Sequence, residues 1–182
     1  MESCVSALRA VPARQCGTPL AFLYSDAQWS AMEGSAAVPG PMTREEREQF
    51  LAAVHVGILS VQQPGRAPLA TPLWYLYEPG GDIVVVTRPE TRKARLIAPG
   101  TCVAFVVQAE ELPPKYVSVE GRVVSVAPAD VDRDVRPLAG KYLGAEVGNG
   151  YIDATRPGGT TNEIVIRICP ERWFSRDFGK AG

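Results

Sequence analysis

The sequence predicts a mainly β protein of the α+β class, built on an antiparallel barrel of six strands. Six apolar runs between His55 and Cys169 supply the strands: VGILSV, PLATPLWYLY, DIVVVT, TCVAFVVQA, YVSVEGRVVSV and NEIVIRIC. The first three are separated by Pro64-Gly65 and Pro79-Gly80-Gly81, residues that build tight turns. Strands this closely spaced fit an antiparallel barrel.

The elements follow in order. Residues 1–41 are rich in Ala, Ser, Gly and Pro and show no sustained periodicity, yet they carry Phe22, Leu23, Tyr24 and Trp29, which would be wasteful in a wholly disordered tail. They are expected to form a partly ordered N-terminal extension, ahead of one domain at 42–182. Thr43 with Glu46 makes a capping-box signature, and Phe50, Leu51 and Val54 give one apolar face, so a helix of about three turns is expected there. In YVSVEGRVVSV, Val117 and Val119 share one parity and Val124 and Val126 the other, which places a bulge at Gly121. Val131, Val135, Leu138, Tyr142 and Leu143 lie on one helical stripe within 128–147, broken or kinked by Pro137. The last strand, NEIVIRIC, leads into a tail, PERWFSRDFGK, whose Trp173 and Phe174 either wall a pocket or staple the tail to the barrel.

Composition bounds the function. A chain of 182 residues can bury roughly 70% of its unfolded surface as one domain and needs no disulfides. Cys4, Cys16, Cys102 and Cys169 form no C-x-x-C pair and point to a reducing cytoplasm, with Cys102 and Cys169 expected as buried packing residues. The N-terminus lacks a signal-peptide pattern, and no window approaches the ~18 apolar residues of a membrane span, so a soluble protein is expected. With a net charge of −1, a small anionic ligand is favoured over nucleic acid.

The candidate site is a cationic corner after DIVVVT. Arg88, Arg92, Lys93 and Arg95 fall within eight residues, with the hydroxyls of Thr87 and Thr91 beside them. A helix starting at Thr91 would add free N–H groups and a positive dipole end, the geometry that grips phosphate. Trp74 and Tyr75 alternate faces, one toward the core and one toward a cleft or seam. The single histidine, His55, is expected at the end of the first helix or the start of the first strand, without a chemical role. No Ser-His-Asp set, carboxylate pair or metal cluster stands out, so any catalysis should come from a cofactor. A barrel binding single-stranded nucleic acid through Trp74, Tyr75 and the corner is the reading from another class.

The order of helix, strands, T-R-K corner, Y-V-S-V-E-G strand, helix, last strand and W-F-x-x-D-F tail resembles the pyridoxamine 5′-phosphate oxidase-like family of flavin-binding split barrels, over residues 43–180. The resemblance implies a homodimeric, six-stranded antiparallel split β-barrel with flanking helices. It also implies a cofactor phosphate held by Thr87, Thr91, Arg92 and Lys93, with Arg88 nearby. Thr71, Pro72, Leu73 and Trp74 would lie along the flavin ring, Val86 beside the ribityl chain, and Tyr116 would reach the cofactor across the dimer. FMN is the cofactor expected first, with the deazaflavin coenzyme F420 as alternative and Arg88 or Arg95 available to its acidic tail. Leu76 stands where true pyridoxamine phosphate oxidases place a lysine, and no Arg-x-His motif follows Arg172. The implied activity is therefore flavin-dependent oxidoreduction of another small molecule, or else non-catalytic flavin carriage or sensing.

Overall fold

The computed structural model describes residues 39–181; the expected extension and its aromatic residues lie almost wholly outside them. A seven-stranded antiparallel sheet forms the body, in the order β1 (Pro39–Gly40), β7 (Ile164–Ala181), β6 (Lys115–Pro128), β5 (Cys102–Ala109), β2 (Gly57–Gln63) and β3 (Arg66–Leu73), with β4 (Ile83–Thr87) also paired to β7. The six long strands are those the apolar runs predict; the two-residue β1 is the addition. Past Leu73 the chain leaves the ladder, then bridges from Leu76 to Val84 with N–H···O bonds of 2.9 and 2.8 Å. This single bridge brings β3 round to β4 and leaves a split on the side where Trp74 diverges.

Alternation drives the closure. Leu59, Val61, Val103, Phe105, Val107, Val117, Val119, Val85 and Ile168 all point inward and are buried. Gly57 is glycine for a reason of space: a Cβ there would stand 2.2 Å from Cζ of Phe105. Tyr75 joins this core, its hydroxyl donating to the Leu51 carbonyl at 2.7 Å, whereas Trp74 remains 39% exposed.

The Thr43 capping box is present, and α1 (Arg44–Ala52) buries Leu51. Val54 does not belong to its apolar face: it lies past the helix end and is exposed. The β6 bulge also needs correction. Gly121 keeps the parity of Val117 and Val119, and the extra residue opposite it is Glu171 of β7; the slip within β6 comes at Val124. Gly121 is nevertheless a close approach, since a Cβ would lie 2.8 Å from the Cys169 carbonyl oxygen. The tail PERWFSRDFGK is not a tail but the second half of β7, paired with β6 and β1. Cys102 is exposed because it shares the outward parity of β5; Cys169 is only partly buried.

After β6 the chain enters a π-turn over Val131–Val135, where the Arg136 N–H reaches back five residues to the Val131 carbonyl. Pro137, which lacks an N–H, then sits harmlessly in the first turn of α3 (Arg136–Leu143). A helix the sequence does not announce, α4 (Ala145–Thr155), packs against it. Val131, Val135, Ala139 and Ile152 form a second small core with Val86 against it, so the helix pair covers the outward face of β4. The short α2 (Arg92–Arg95) lies between β4 and β5.

Candidate functional site

The cationic corner begins where β4 ends. Thr87 is buried and Thr91 half-buried, with their hydroxyl oxygens 3.3 Å apart. Thr91 caps α2, accepting from the Ala94 N–H at 3.4 Å and donating to the Arg88 carbonyl at 2.9 Å. Its hydrogen is therefore committed locally, and the Thr87 hydroxyl donates to it, a weak bond that a phosphate oxygen could displace. Because α2 is a single turn, its macrodipole is slight, and an anion at this corner would be held by side chains.

Four cations flank these threonines in sequence and differ in their availability. Arg95 is tied back to the Glu90 carbonyl at 2.7 Å and shapes the loop. Arg88 and Arg92 are exposed. Lys93 is half-buried, makes no ion pair with any described residue, and burial pushes its ammonium below the ordinary lysine range. An amine desolvated in this way gains from an anionic partner.

Val86, one residue before the corner, commits its side chain to the helical core. Its backbone is a different matter. Val84 exchanges both of its hydrogen bonds with Leu76, and bonding direction alternates along a strand, so the Val86 N–H and C=O face the same side, where the chain at Trp74 has already diverged. The split thus has open backbone at Val86 on one wall and the end of β3 on the other. On β3, Thr71 and Leu73 are half-buried and Pro72 exposed.

Trp74 is held by a contact invisible in local sequence. Its ring stacks on Tyr142 of α3, with centroids 4.7 Å apart and planes within 1°. The Tyr142 hydroxyl donates to the His55 carbonyl at 2.7 Å and accepts from the Tyr75 N–H at 3.2 Å. Beside it, the Lys141 Nζ is buried without a hydrogen-bond partner, 4.3 Å above the Tyr75 ring, and desolvation lowers its pKa to about 8. His55 sits between α1 and β2, its ring 4.5 Å from Phe50; burial and then the Lys141 charge push its imidazole below the ordinary histidine range.

Tyr116 is not brought to this place. Within one chain it lies on β6, opposite Gln108 of β5 and Arg176 of β7, and β2 and β5 stand between β6 and β3 in the sheet. Trp173 is part of the barrel packing, edge-on to Tyr77 and under the Arg47 guanidinium, while Phe174 is 55% exposed on the outer face. Among the described residues no cluster of His, Cys, Asp and Glu could hold a metal, and no helix is long and apolar enough to cross a membrane.

A split antiparallel barrel with flanking helices and a threonine- and cation-lined corner at the end of its fourth strand defines the class as an α+β split β-barrel. The model of the pyridoxamine 5′-phosphate oxidase family matches residues 43–177, and the chain belongs to that family. Its fold is shared with an F420 reductase (21% identity, 70% of this chain and 94% of the other, TM-score 0.57). A conserved hypothetical protein of Mycobacterium tuberculosis (21%, 79% and 89%, TM-score 0.61) and an FAD-binding protein of Mesorhizobium loti (21%, 77% and 98%, TM-score 0.55) are also similar. Identities at this level speak for the fold alone. No similar sequence is found among curated proteins.

Proposed function

We propose that the protein is a cytoplasmic oxidoreductase that works with a flavin, FMN or the deazaflavin F420, on a small organic molecule, as a homodimer. The observation that carries this reading is Lys93: a half-buried amine without an ion partner among the described residues, two residues after the Thr91 whose hydroxyl meets that of Thr87. Those donors fit a phosphate group. Lys93 and Arg92 would give charge-assisted hydrogen bonds to it, with Thr87 as the neutral donor and Thr91 holding the turn. The open backbone at Val86 and the end of β3, Thr71 to Trp74, would lie along the cofactor's ring end. Hydride or electron transfer is the chemistry such a group supplies when bound, and the protein contributes position and exclusion of water.

The dimer rests on the outer face. Pro72, Ile58, Val106, Ser118 and Phe174 stand in register across five strands, a largely apolar row on an exposed surface. Paired with a second copy, it would bury that row and carry Tyr116 toward the other copy's site, where its phenol is a candidate proton donor.

An absorption and fluorescence titration of ligand-free protein with FMN and with F420 tests the reading. Arg92→Ala with Lys93→Ala should weaken binding by at least ~2 kcal/mol with circular dichroism unchanged, since each charged hydrogen bond is worth roughly 1.5–3 kcal/mol. Unchanged affinity removes the corner as the seat. A bound cofactor that does not turn over with NAD(P)H or reduced deazaflavin would make the protein a carrier, and salt-sensitive binding to single strands would favour nucleic acid.

A further inference from the structure

We propose that Lys141 sets the electron affinity of the ring bound at the split, its ammonium offsetting the negative charge that the ring gains on reduction. The inference rests on the flavin reading above and deepens it.

Among the described residues, two side chains hold a buried polar atom without a hydrogen-bond partner, Arg47 and Lys141. In Arg47 that atom is Nε, one donor site of a guanidinium that has others; in Lys141 it is Nζ, the whole polar head. A buried group left unpaired is costly, and a chain that keeps one has a reason for it. Packing is not the reason, since an unbranched apolar side chain such as methionine fills similar space without the charge. The described surroundings of Nζ are the faces of Tyr75 and Tyr142, 4.3 and 5.6 Å away. Desolvation lowers its pKa to about 8, so it remains charged at neutral pH.

Its place supplies the reason. Tyr142 fastens α3 to the end of β3, its hydroxyl accepting from the Tyr75 N–H at 3.2 Å, and its ring lies against Trp74. Nζ stands 5.6 Å from the Tyr142 centroid, which is 4.7 Å from that of Trp74, so the ammonium is no more than about 10 Å from the Trp74 ring. Trp74 closes the segment from Thr71 along which the cofactor's ring end would lie. His55, which feels the same ammonium, is pushed toward its neutral form and adds no charge of its own. In hydride transfer the ring takes up two electrons and one proton and ends one unit more negative; Lys141 keeps its proton and forms no bond. Opposite unit charges about 10 Å apart, at an effective dielectric of about 20, favour the reduced ring roughly tenfold or more. The effect falls on the ring and leaves the phosphate seat at Lys93 untouched.

The ligand-free full chain, Lys141→Met, Lys141→Gln and Arg66→Gln are each loaded with FMN and, separately, with F420, and the midpoint potential of the bound cofactor is measured at pH 7 against a reference dye. Both Lys141 variants should lower the potential by at least about 30 mV, the two-electron equivalent of a tenfold loss of preference for the reduced form. Affinity for the oxidised cofactor should hold, and the melting temperature of Lys141→Met should hold or rise. Arg66→Gln removes a charge of the same sign from the opposite end of β3 and should leave the potential unchanged. A potential unmoved in either Lys141 variant, or moved as far by Arg66→Gln, overturns the inference and leaves the flavin reading standing. Binding of neither cofactor by the unmodified chain overturns the flavin reading beneath it.

Discussion

Replacing Lys141 by methionine should stabilise the protein at neutral pH, and the gain should shrink as pH rises. The Lys141 Nζ is buried with no hydrogen-bond partner and has only the faces of Tyr75 and Tyr142, 4.3 and 5.6 Å away. Its pKa falls from the ordinary 10.5 to about 8 through desolvation. The sign follows from proton counting. Between about pH 8 and 10.5 the unfolded chain holds the proton and the folded chain releases it, so stability climbs with pH across that window. Below it, both states are charged and the folded state carries the whole penalty. At 1.36 kcal/mol per pH unit this is at most about 3.4 kcal/mol at pH 7, of which about 2 is recovered by pH 9.5. The side chain is only partly enclosed, and screening brings the expected gain to about 1–2 kcal/mol. Cation–π attraction to Tyr75 opposes the change by up to ~2 kcal/mol when desolvated, which is why the result has content. Urea unfolding of both proteins at pH 7 and 9.5 gives the answer. A destabilised Lys141→Met at pH 7, or a difference that ignores pH, would refute the argument that desolvation outweighs the ring contacts.

Three further outcomes follow from particular contacts. Gly57→Ala should cost about 1–3 kcal/mol in denaturant unfolding, because its Cβ would meet the Phe105 ring at 2.2 Å inside a packed core; a neutral result would mean that the ring swings aside freely. Tyr142→Phe removes the hydroxyl that serves the His55 carbonyl and the Tyr75 N–H while keeping the ring that stacks on Trp74, so a loss of about 1–3 kcal/mol in denaturant unfolding is expected; unchanged stability would mean that the hydroxyl's bonds are replaced at no cost. Ile58→Lys with Phe174→Asp places charge in the apolar outer row and should turn a dimer into monomers by sedimentation at micromolar concentration, whereas an unaffected dimer would put the interface elsewhere.

Much of the fold was legible because one face of nearly every strand meets the same core. Where inward positions are polar, the pattern fails. The second half of β7 turns Ser175 and Asp177 inward, and each is satisfied by a specific partner: Ser175 accepts from the Met42 N–H at 3.1 Å, and Asp177 pairs with Lys115 at 3.5 Å. Without apolar alternation the segment reads as a tail. α4 was missed for a related reason. Its two glycines weaken helix propensity, yet Gly148 lies so close to α3 that a Cβ would stand 2.8 Å from the Ala139 carbonyl carbon. Tertiary packing selects glycine there against local preference.

The same division separates the two ends of the candidate site. Thr87, Arg88, Thr91, Arg92 and Lys93 are neighbours in sequence, so the chain cannot place them far apart, and a corner of this composition is readable before any fold is known. The other end depends on Tyr142 reaching back 67 residues to Tyr75, and on β4 and β3 separating after one bridge. No spacing rule contains that distance. For the proposed function the consequence is chemical as well as structural: the side chains that would grip a phosphate are local in sequence, whereas those that would line a reacting ring are assembled from distant segments. On the proposed function the choice of substrate lies with Trp74, Tyr142 and the apolar outer row, and variants there, more than at Lys93, should change which molecule is turned over.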